Sequence, residues 1–248
     1  MISKNKQKYL SLLQQKKNRE EYQTFLVEGA KSVTELINAE YEIEIMFGTE
    51  DFYEANKNTI DSKKIFFELA ATEELDKSGT LRTNNAAIAV AKMKPNDVIL
   101  AQENEWVLVL DEINDPGNLG TIIRISDWYG IKKIVCSENT VDFYNPKTIA
   151  ASMGSFTRVQ LYRTNIENYL QSEKEKNILG AFLEGENIQK VALKSGGYLV
   201  LGSESHGIST NIEKLISKKI TIPKFGNAES LNVGIATAVI LDNLLRIK

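Results

Sequence analysis

Residues 220–248 read ITIPKFGNAESLNVGIATAVILDNLLRIK: a short β-branched strand, a loop carrying Phe225, Gly226, Asn227, Ser230 and Asn232, and then an apolar run. From Leu231 to Leu245 the run includes Val233, Ala236, Ala238, Val239, Ile240, Leu241, Leu244 and Leu245. It is apolar on nearly every face, which predicts a helix buried over most of its surface. Ser230 and Asn232 stand where side-chain oxygens satisfy the free N–H groups of a helix start. Taken alone, a cap accounts for both residues.

Two further loops change that reading. Trp106 to Leu110 (WVLVL) runs into DEINDPGNLGTIIRISDWYG, and Tyr198 to Leu201 (YLVL) runs into GSESHGIS. Uninterrupted apolar strands of this kind belong to parallel sheets covered on both faces. Three strand-to-loop junctions rich in Gly, Asn and Ser, with one Arg, point to a single site at the carboxyl ends of parallel strands.

The same three stretches resemble the motifs of the SpoU (TrmH) family of RNA ribose 2′-O-methyltransferases, in the SPOUT class. NLGTIIR, GSExxGI and IP…G…ESLNV…A occur in the family's order between Trp106 and Lys248, and Asn5 to Ile37 is similar to the family's substrate-binding amino-terminal module. The resemblance implies an α/β protein: a carboxyl-terminal SPOUT domain with a parallel sheet and a trefoil knot, and a smaller L30e-like α/β domain before it. It implies S-adenosylmethionine as cofactor, RNA as partner, ribosomal before transfer RNA, and a homodimer. By motif position it implies Asn118, Arg124, Glu204, Ser230 and Asn232 as the catalytic group. Leu201, Gly202, Ile222, Gly226, Leu231 and Ala236 are implied as cofactor-lining positions. Ala150, where many members carry Arg, and Ser205, where Gly is common, depart from the pattern; Arg158 is a candidate replacement for the missing arginine.

Composition sets the limits of this reading. A chain of 248 residues with 42% hydrophobic residues can build two modest domains, and a formal charge of −3 gives no global attraction for nucleic acid. RNA contact must therefore rest on local charge. Residues 1–19 hold Lys4, Lys6, Lys8, Lys16, Lys17 and Arg19 with no acidic residue, interleaved with Tyr9, Leu10, Leu12 and Leu13. This predicts an amphipathic helical segment whose basic face is a solvated surface or, with the resemblance, a contact for RNA phosphates.

TFLVEG, AKSVTELINAE and YEIEIMFGT then alternate as strand, helix and strand, a pattern loosely repeated by KKIFFELA, ATEELDKSG and AAIAVAKM. Glu28, Gly29 and Lys31 at one turn, and Arg82, Thr83, Asn84 and Asn85 at another, suit RNA contact or plain turn geometry. The polar, proline-bearing stretch after Lys94 reads as a linker, giving domains 1–97 and 106–248 joined by 98–105.

The single cysteine, Cys136, lies in an apolar run and reads as a small buried hydrophobe. His206 is the only histidine, and no Cys or His spacing suits a metal site. The amino terminus has no leader-like apolar core and no run is long enough to cross a bilayer, so a cytoplasmic setting without membrane contact is expected. Methyl transfer to a ribose hydroxyl requires proton removal and in-line positioning, which suits a site with few titratable groups. Arginine's very high pKa favours a positioning or phosphate-assisted role for Arg124 over that of a base. A non-catalytic RNA-binding or ribosome-assembly protein on the same fold remains the alternative from another class, with an enzyme of small-molecule nucleotides third.

Overall fold

The computed structural model describes residues 2–80, 86–191 and 196–246; Arg82, Thr83, Asn84 and Asn85 lie outside the described residues. The chain divides into two units, one of residues 1–95 with 142–157 and the other of 96–141 with 158–248.

The first unit opens with α1 (Lys4–Leu12) and α2 (Lys16–Tyr22), followed by β1 (Thr24–Glu28), α3 (Ala30–Ile37), β2 (Ile43–Gly48), α4 (Glu50–Ser62), β3 (Phe67–Leu69), α5 (Thr72–Ser78) and β4 (Ala87–Lys92). Its sheet runs β1-β4-β2-β3, with β4 antiparallel to both neighbours and β2 parallel to β3. The strands TFLVE and AIAVA are buried along their length because helices cover the sheet. Leu10 and Leu13 join Leu26, Ile45, Phe47, Ile88 and Val90 in one core, so the basic amino-terminal segment is anchored by its apolar residues. That segment is two helices rather than one, broken at residues 13–15.

The second unit holds β5 (Trp106–Asp111), α6 (Pro116–Trp128) and β6 (Lys133–Cys136). After α7 (Pro146–Ser152), which belongs to the first unit, come β7 (Gln160–Arg163), α8 (Ile166–Ser172), β8 (Ile178–Asn187), β9 (Gly197–Gly202), α9 (Thr210–Glu213), β10 (Lys218–Thr221) and α10 (Val233–Leu245). The strands pair in the order β10-β8-β9-β5-β6-β7, every described pair parallel. Central β5 and β9 are fully paired and buried. The chain leaves β5 towards β6 on one side and leaves β9 towards β10 on the other. The crevice beyond the carboxyl ends of these two strands is thus a switch point, where α/β sheets bind ligands.

Helix α10 packs on α6 and β9 and buries Val233, Thr237, Ile240 and Leu241. Its burial is one-sided: Ile235 remains 55% exposed, against the expectation of a helix covered on most faces. The stretch expected as a linker, 98–105, lies within the second unit. Ile99 and Ala101 are buried there, with the Tyr169 hydroxyl donating to the Ile99 carbonyl at 2.6 Å and the Ala101 N–H donating to the Tyr198 hydroxyl at 3.1 Å. Among the described residues no helix is long and apolar enough to cross a membrane.

Residues 142–157 complete the first unit's core. The Phe25 ring of β1 lies 4.5 Å from Tyr144 and 6.0 Å from Phe156, centroid to centroid. Arg19, expected on an RNA-facing surface, is only 1% exposed. Its guanidinium donates to the Asp142 carboxylate at 3.1 and 2.5 Å and to the carbonyls of Leu13 and Gln14 at 2.9 and 2.8 Å. Four hydrogen bonds to three acceptor oxygens hold the planar fork where water cannot reach, so this cation ties the α1–α2 turn to Asp142.

Two outcomes follow from this packing. Arg19→Ala leaves Asp142 and two carbonyls without their donor and is expected to lower stability by about 3 kcal/mol in urea denaturation, with Arg19→Lys recovering only part; an unchanged midpoint would refute the anchoring role. Burial also raises the Tyr198 phenol to about 12 and pushes Tyr169 higher still. Stability from a raised folded-state pKa is complete below the unfolded phenol value and is lost as pH rises through the folded one. Unfolding midpoints should therefore fall from about pH 10 upward, and Tyr169→Phe should flatten that fall.

Candidate active site

Helix α6 starts from the sequence DPGN. Pro116 occupies the first helical position, and Asp115 caps the helix by accepting from the Asn118 backbone N–H at 2.8 Å. This cap aims the Asn118 side chain off the first turn. Helix α10 starts from LNVG, where Asn232 is the cap, its Oδ1 accepting from the backbone N–H groups of Gly234 at 2.9 Å and Ile235 at 3.4 Å. Ser230 is exposed, with no hydrogen-bond partner among the described residues, so Asn232 alone supplies the cap.

The two helix starts meet. Asn232 Nδ2 donates to Asn118 Oδ1 at 2.9 Å and to Glu204 Oε1 at 3.4 Å, and Asn118 Nδ2 donates to the same Glu204 oxygen. Each asparagine amide thus has a fixed orientation, and one Glu204 oxygen receives both donors. Three residues from three distant stretches form one cluster, and the positive ends of two helix dipoles converge on a carboxylate. Arg124 lies on the exposed side of α6 and makes no ion pair or hydrogen bond among the described residues. Its guanidinium is available to an incoming anion. Trp128, one turn further on, is 84% exposed, whereas Gly120, one turn earlier, is buried.

The Glu204 loop is a tight reversal. Ser203 and Gly207 exchange backbone hydrogen bonds of 3.1 and 2.9 Å, and a Cβ on Gly202 would run into the Gly207 backbone. Glycine at 202 is therefore imposed by chain approach. The loop's far end is tied to β5, where buried Asp111 accepts from the Ser209 N–H at 2.8 Å. Ser205 Oγ lies 2.8 Å from His206 Nδ1, so the residue that departs from the family pattern bonds within its own loop.

Of the cofactor-lining positions, the Leu201 side chain is core and only its backbone can face a ligand. Gly202, Ile222 and Ala236 are half-buried, and Gly226 is exposed with open space where a side chain would stand. In the same loop Leu231 is 48% and Phe225 95% exposed. Apolar side chains held in water beside open glycine backbone fit an adenine-bearing ligand that would cover them. A separate cleft of about 380 Å³, lined by Asp111, Ser137, Glu138, Thr164 and Ser209, shares none of the clustered residues. It carries carboxylates and hydroxyls without a cation.

In the first unit, Lys4, Lys8, Lys16 and Lys17 are exposed, Lys16 pairing with Glu20 at 3.6 Å. Lys6 is half-buried, paired with Glu68 and 5.6 Å from the Phe66 ring, so much of its charge is spent within the fold. Glu28 is buried and accepts from the Thr80 N–H and hydroxyl, which makes it a loop anchor, whereas Lys31 is exposed. Arg158, considered as a replacement for arginine at 150, instead forks onto Asp127 at 2.8 to 3.0 Å. Asp111 and Asp115 escaped the reading of the sequence as site-shaping residues, although Asp-Pro followed by Asn is the signal of a capped helix start. Among the described residues no group of three or more His, Cys, Asp or Glu could hold a metal ion. Buried Cys136, its thiol pushed up to about 12 by burial, is inert packing.

The geometry separates the two duties of Asn232. Asn232→Ala removes the cap and the link to Asn118 and is expected to cost about 1 kcal/mol of stability. Asn232→Ser restores the cap without the amide donor, so its urea midpoint should return close to wild type while activity stays lost. Recovery of activity along with stability would show that only capping matters.

Comparison with known proteins places these features. Residues 105–242 match the SpoU rRNA Methylase family and residues 4–88 match the MRM3-like substrate binding domain. The chain is 29% identical over 241 residues to a 23S rRNA (guanosine(2553)-2′-O)-methyltransferase, RlmP, of Bacillus subtilis, covering 94% of this chain and 92% of that one. It is 26% identical over 202 residues to the 23S rRNA (guanosine-2′-O-)-methyltransferase RlmB of Escherichia coli, covering 76% and 82%. A solved TrmH-family structure from Porphyromonas gingivalis superposes with a TM-score of 0.87 at 33% identity over 98% of both chains. An AdoMet-bound rRNA methyltransferase of Sinorhizobium meliloti gives a TM-score of 0.87 at 25% identity, covering 98% of this chain and 95% of that one.

Proposed function

The chain belongs to the SpoU rRNA methylase family, and from that premise we propose that it methylates a ribose 2′-hydroxyl of ribosomal RNA, with S-adenosylmethionine as donor. The observation that carries this reading is the bonded cluster of Asn118, Glu204 and Asn232 at two converging helix starts, with Arg124 exposed on α6 and making no ion pair or hydrogen bond among the described residues. The relatives named for guanosine in 23S rRNA make such a guanosine the first address to examine.

Leu201, Gly202, Ile222, Gly226, Leu231 and Ala236 would hold S-adenosylmethionine, whose bound form supplies an electrophilic methyl and a neutral thioether leaving group. Arg124 would grip an RNA phosphate and so orient the ribose hydroxyl for the transfer. The hydroxyl proton would pass to a phosphate oxygen held by the guanidinium, which itself stays protonated. Asn118 and Asn232 keep the Glu204 carboxylate directed at the site, and Ser230 supplies a free hydroxyl to the same loop.

Residues 1–97 present the RNA through Lys4, Lys8, Lys16 and Lys17, whose ammonium groups neutralise phosphates without reading bases. Residues 106–248 carry out the transfer. The reading includes a homodimer in the cytoplasm; Ile235 and Leu245 of α10, apolar and exposed in a single chain, support the paired state. It also includes the trefoil knot, supported by a loop that leaves edge strand β10 and returns α10 to β9 and α6.

Ribose-methylation mapping of ribosomal and transfer RNA, from cells with and without the protein, tests the activity and its address together. One ribosomal 2′-O-methyl site should vanish, return with wild type, and stay lost with Arg124→Ala, whose turnover should fall by about 100-fold or more. Loss confined to transfer RNA would move the substrate, and no loss anywhere would favour a binding protein.

A further inference from the structure

We propose that Gly234 is a positioning residue for the transfer reaction: by carrying no side chain, it lets the first turn of α10 lie against Thr121 of α6 at the spacing that joins Asn232 to Asn118 and Glu204. The proposal rests on the methyl-transfer reading and adds the device that holds its cluster together.

A Cβ on Gly234 would stand 2.9 Å from Thr121 Cγ2 and 3.2 Å from Asn232 Oδ1. Carbon atoms in contact prefer about 3.5 to 4.0 Å, so a methyl there requires the Thr121 side chain or the two helices to give by roughly half an ångström or more. Thr121 is three residues after Asn118 and shares its side of α6, while Gly234 is two residues after Asn232. The contact that sets the helix gap thus lies within a turn of the bond that bridges it. That bond is 2.9 Å between Asn232 Nδ2 and Asn118 Oδ1, and parting the helices by this amount takes it past the usual hydrogen-bond range of about 3.2 Å. Gly234 is buried, with no positive φ to require glycine, so close approach is what excludes a side chain.

Helix propensity alone gives the opposite forecast, since alanine is the better helix former. The two effects separate in a cycle of Gly234→Ala, Thr121→Ser and the double variant, measured as kcat, KM for RNA and S-adenosylmethionine, and melting temperature. Gly234→Ala should keep its melting temperature and both KM values while kcat falls by about 10-fold or more. Thr121→Ser, which removes Cγ2, should behave as wild type, and the double variant should recover to within about three-fold of it. Full activity in Gly234→Ala, or a double variant no better than Gly234→Ala, overturns the proposal. If Gly234→Ala fails to fold, the double variant decides: folded and active supports the contact, unfolded rejects it. Wild-type protein inactive on RNA would instead sink the methyl-transfer reading, independently of the cycle.

Discussion

Two helices that begin side by side must share their unsatisfied backbone N–H groups and positive dipole ends, and a carboxylate is a natural partner for such a place. Glu204 occupies it, receiving Asn118 from one helix and Asn232 from the other. The rest of the second unit serves this meeting. β5 and β9 are adjacent and buried, so the loops at their carboxyl ends emerge together, and Asp111 bonds the base of one loop to the end of the other. The sheet supplies rigidity to the loops that carry the cluster. A cluster made only of hydrogen bonds on rigid supports positions a substrate well and transfers protons poorly, which suits a reaction whose reactivity comes with its cofactor.

The first unit is organised by a different constraint. Its sheet packs helices on its faces, but one part of its core comes from residues 142–157, far along the chain. The buried Arg19 guanidinium makes four hydrogen bonds, one to each of two carbonyls at the turn between α1 and α2 and two to a single Asp142 oxygen. A buried cation is tolerated only when fully paired, so this contact fixes partners and leaves little freedom to rearrange. The exposed lysines of α1 and α2 are thereby mounted on a fixed base.

Much of the fold was legible because local pattern and tertiary role agree. WVLVL and YLVL announced covered parallel strands, Asn232 marked a helix start, and three polar strand-to-loop junctions pointed to one place, where Asn118, Glu204 and Asn232 bond. What stayed hidden depends on contacts between distant segments. Nothing in the basic run 1–19 separates Arg19 from its exposed neighbours, because its burial is decided by Asp142. The stretch 94–104 reads as a linker for its Pro95 and polar residues, yet two tyrosines from distant elements capture Ile99 and Ala101. The one-sided burial of α10 was likewise invisible: composition reports how apolar a helix is, not how much of it one chain can cover. Asn118, Glu204 and Asn232, from three separate motifs, share hydrogen bonds, whereas Ser230 stands apart from them.

The most direct test of the account is a crystal structure with S-adenosylhomocysteine, the product left after methyl transfer. The account predicts its adenine against Gly202, Ile222 and Leu231, with the sulfur turned towards Asn118, Glu204 and Asn232. Occupation of the acidic cleft lined by Asp111, Ser137 and Thr164 instead, with the cluster untouched, would contradict it.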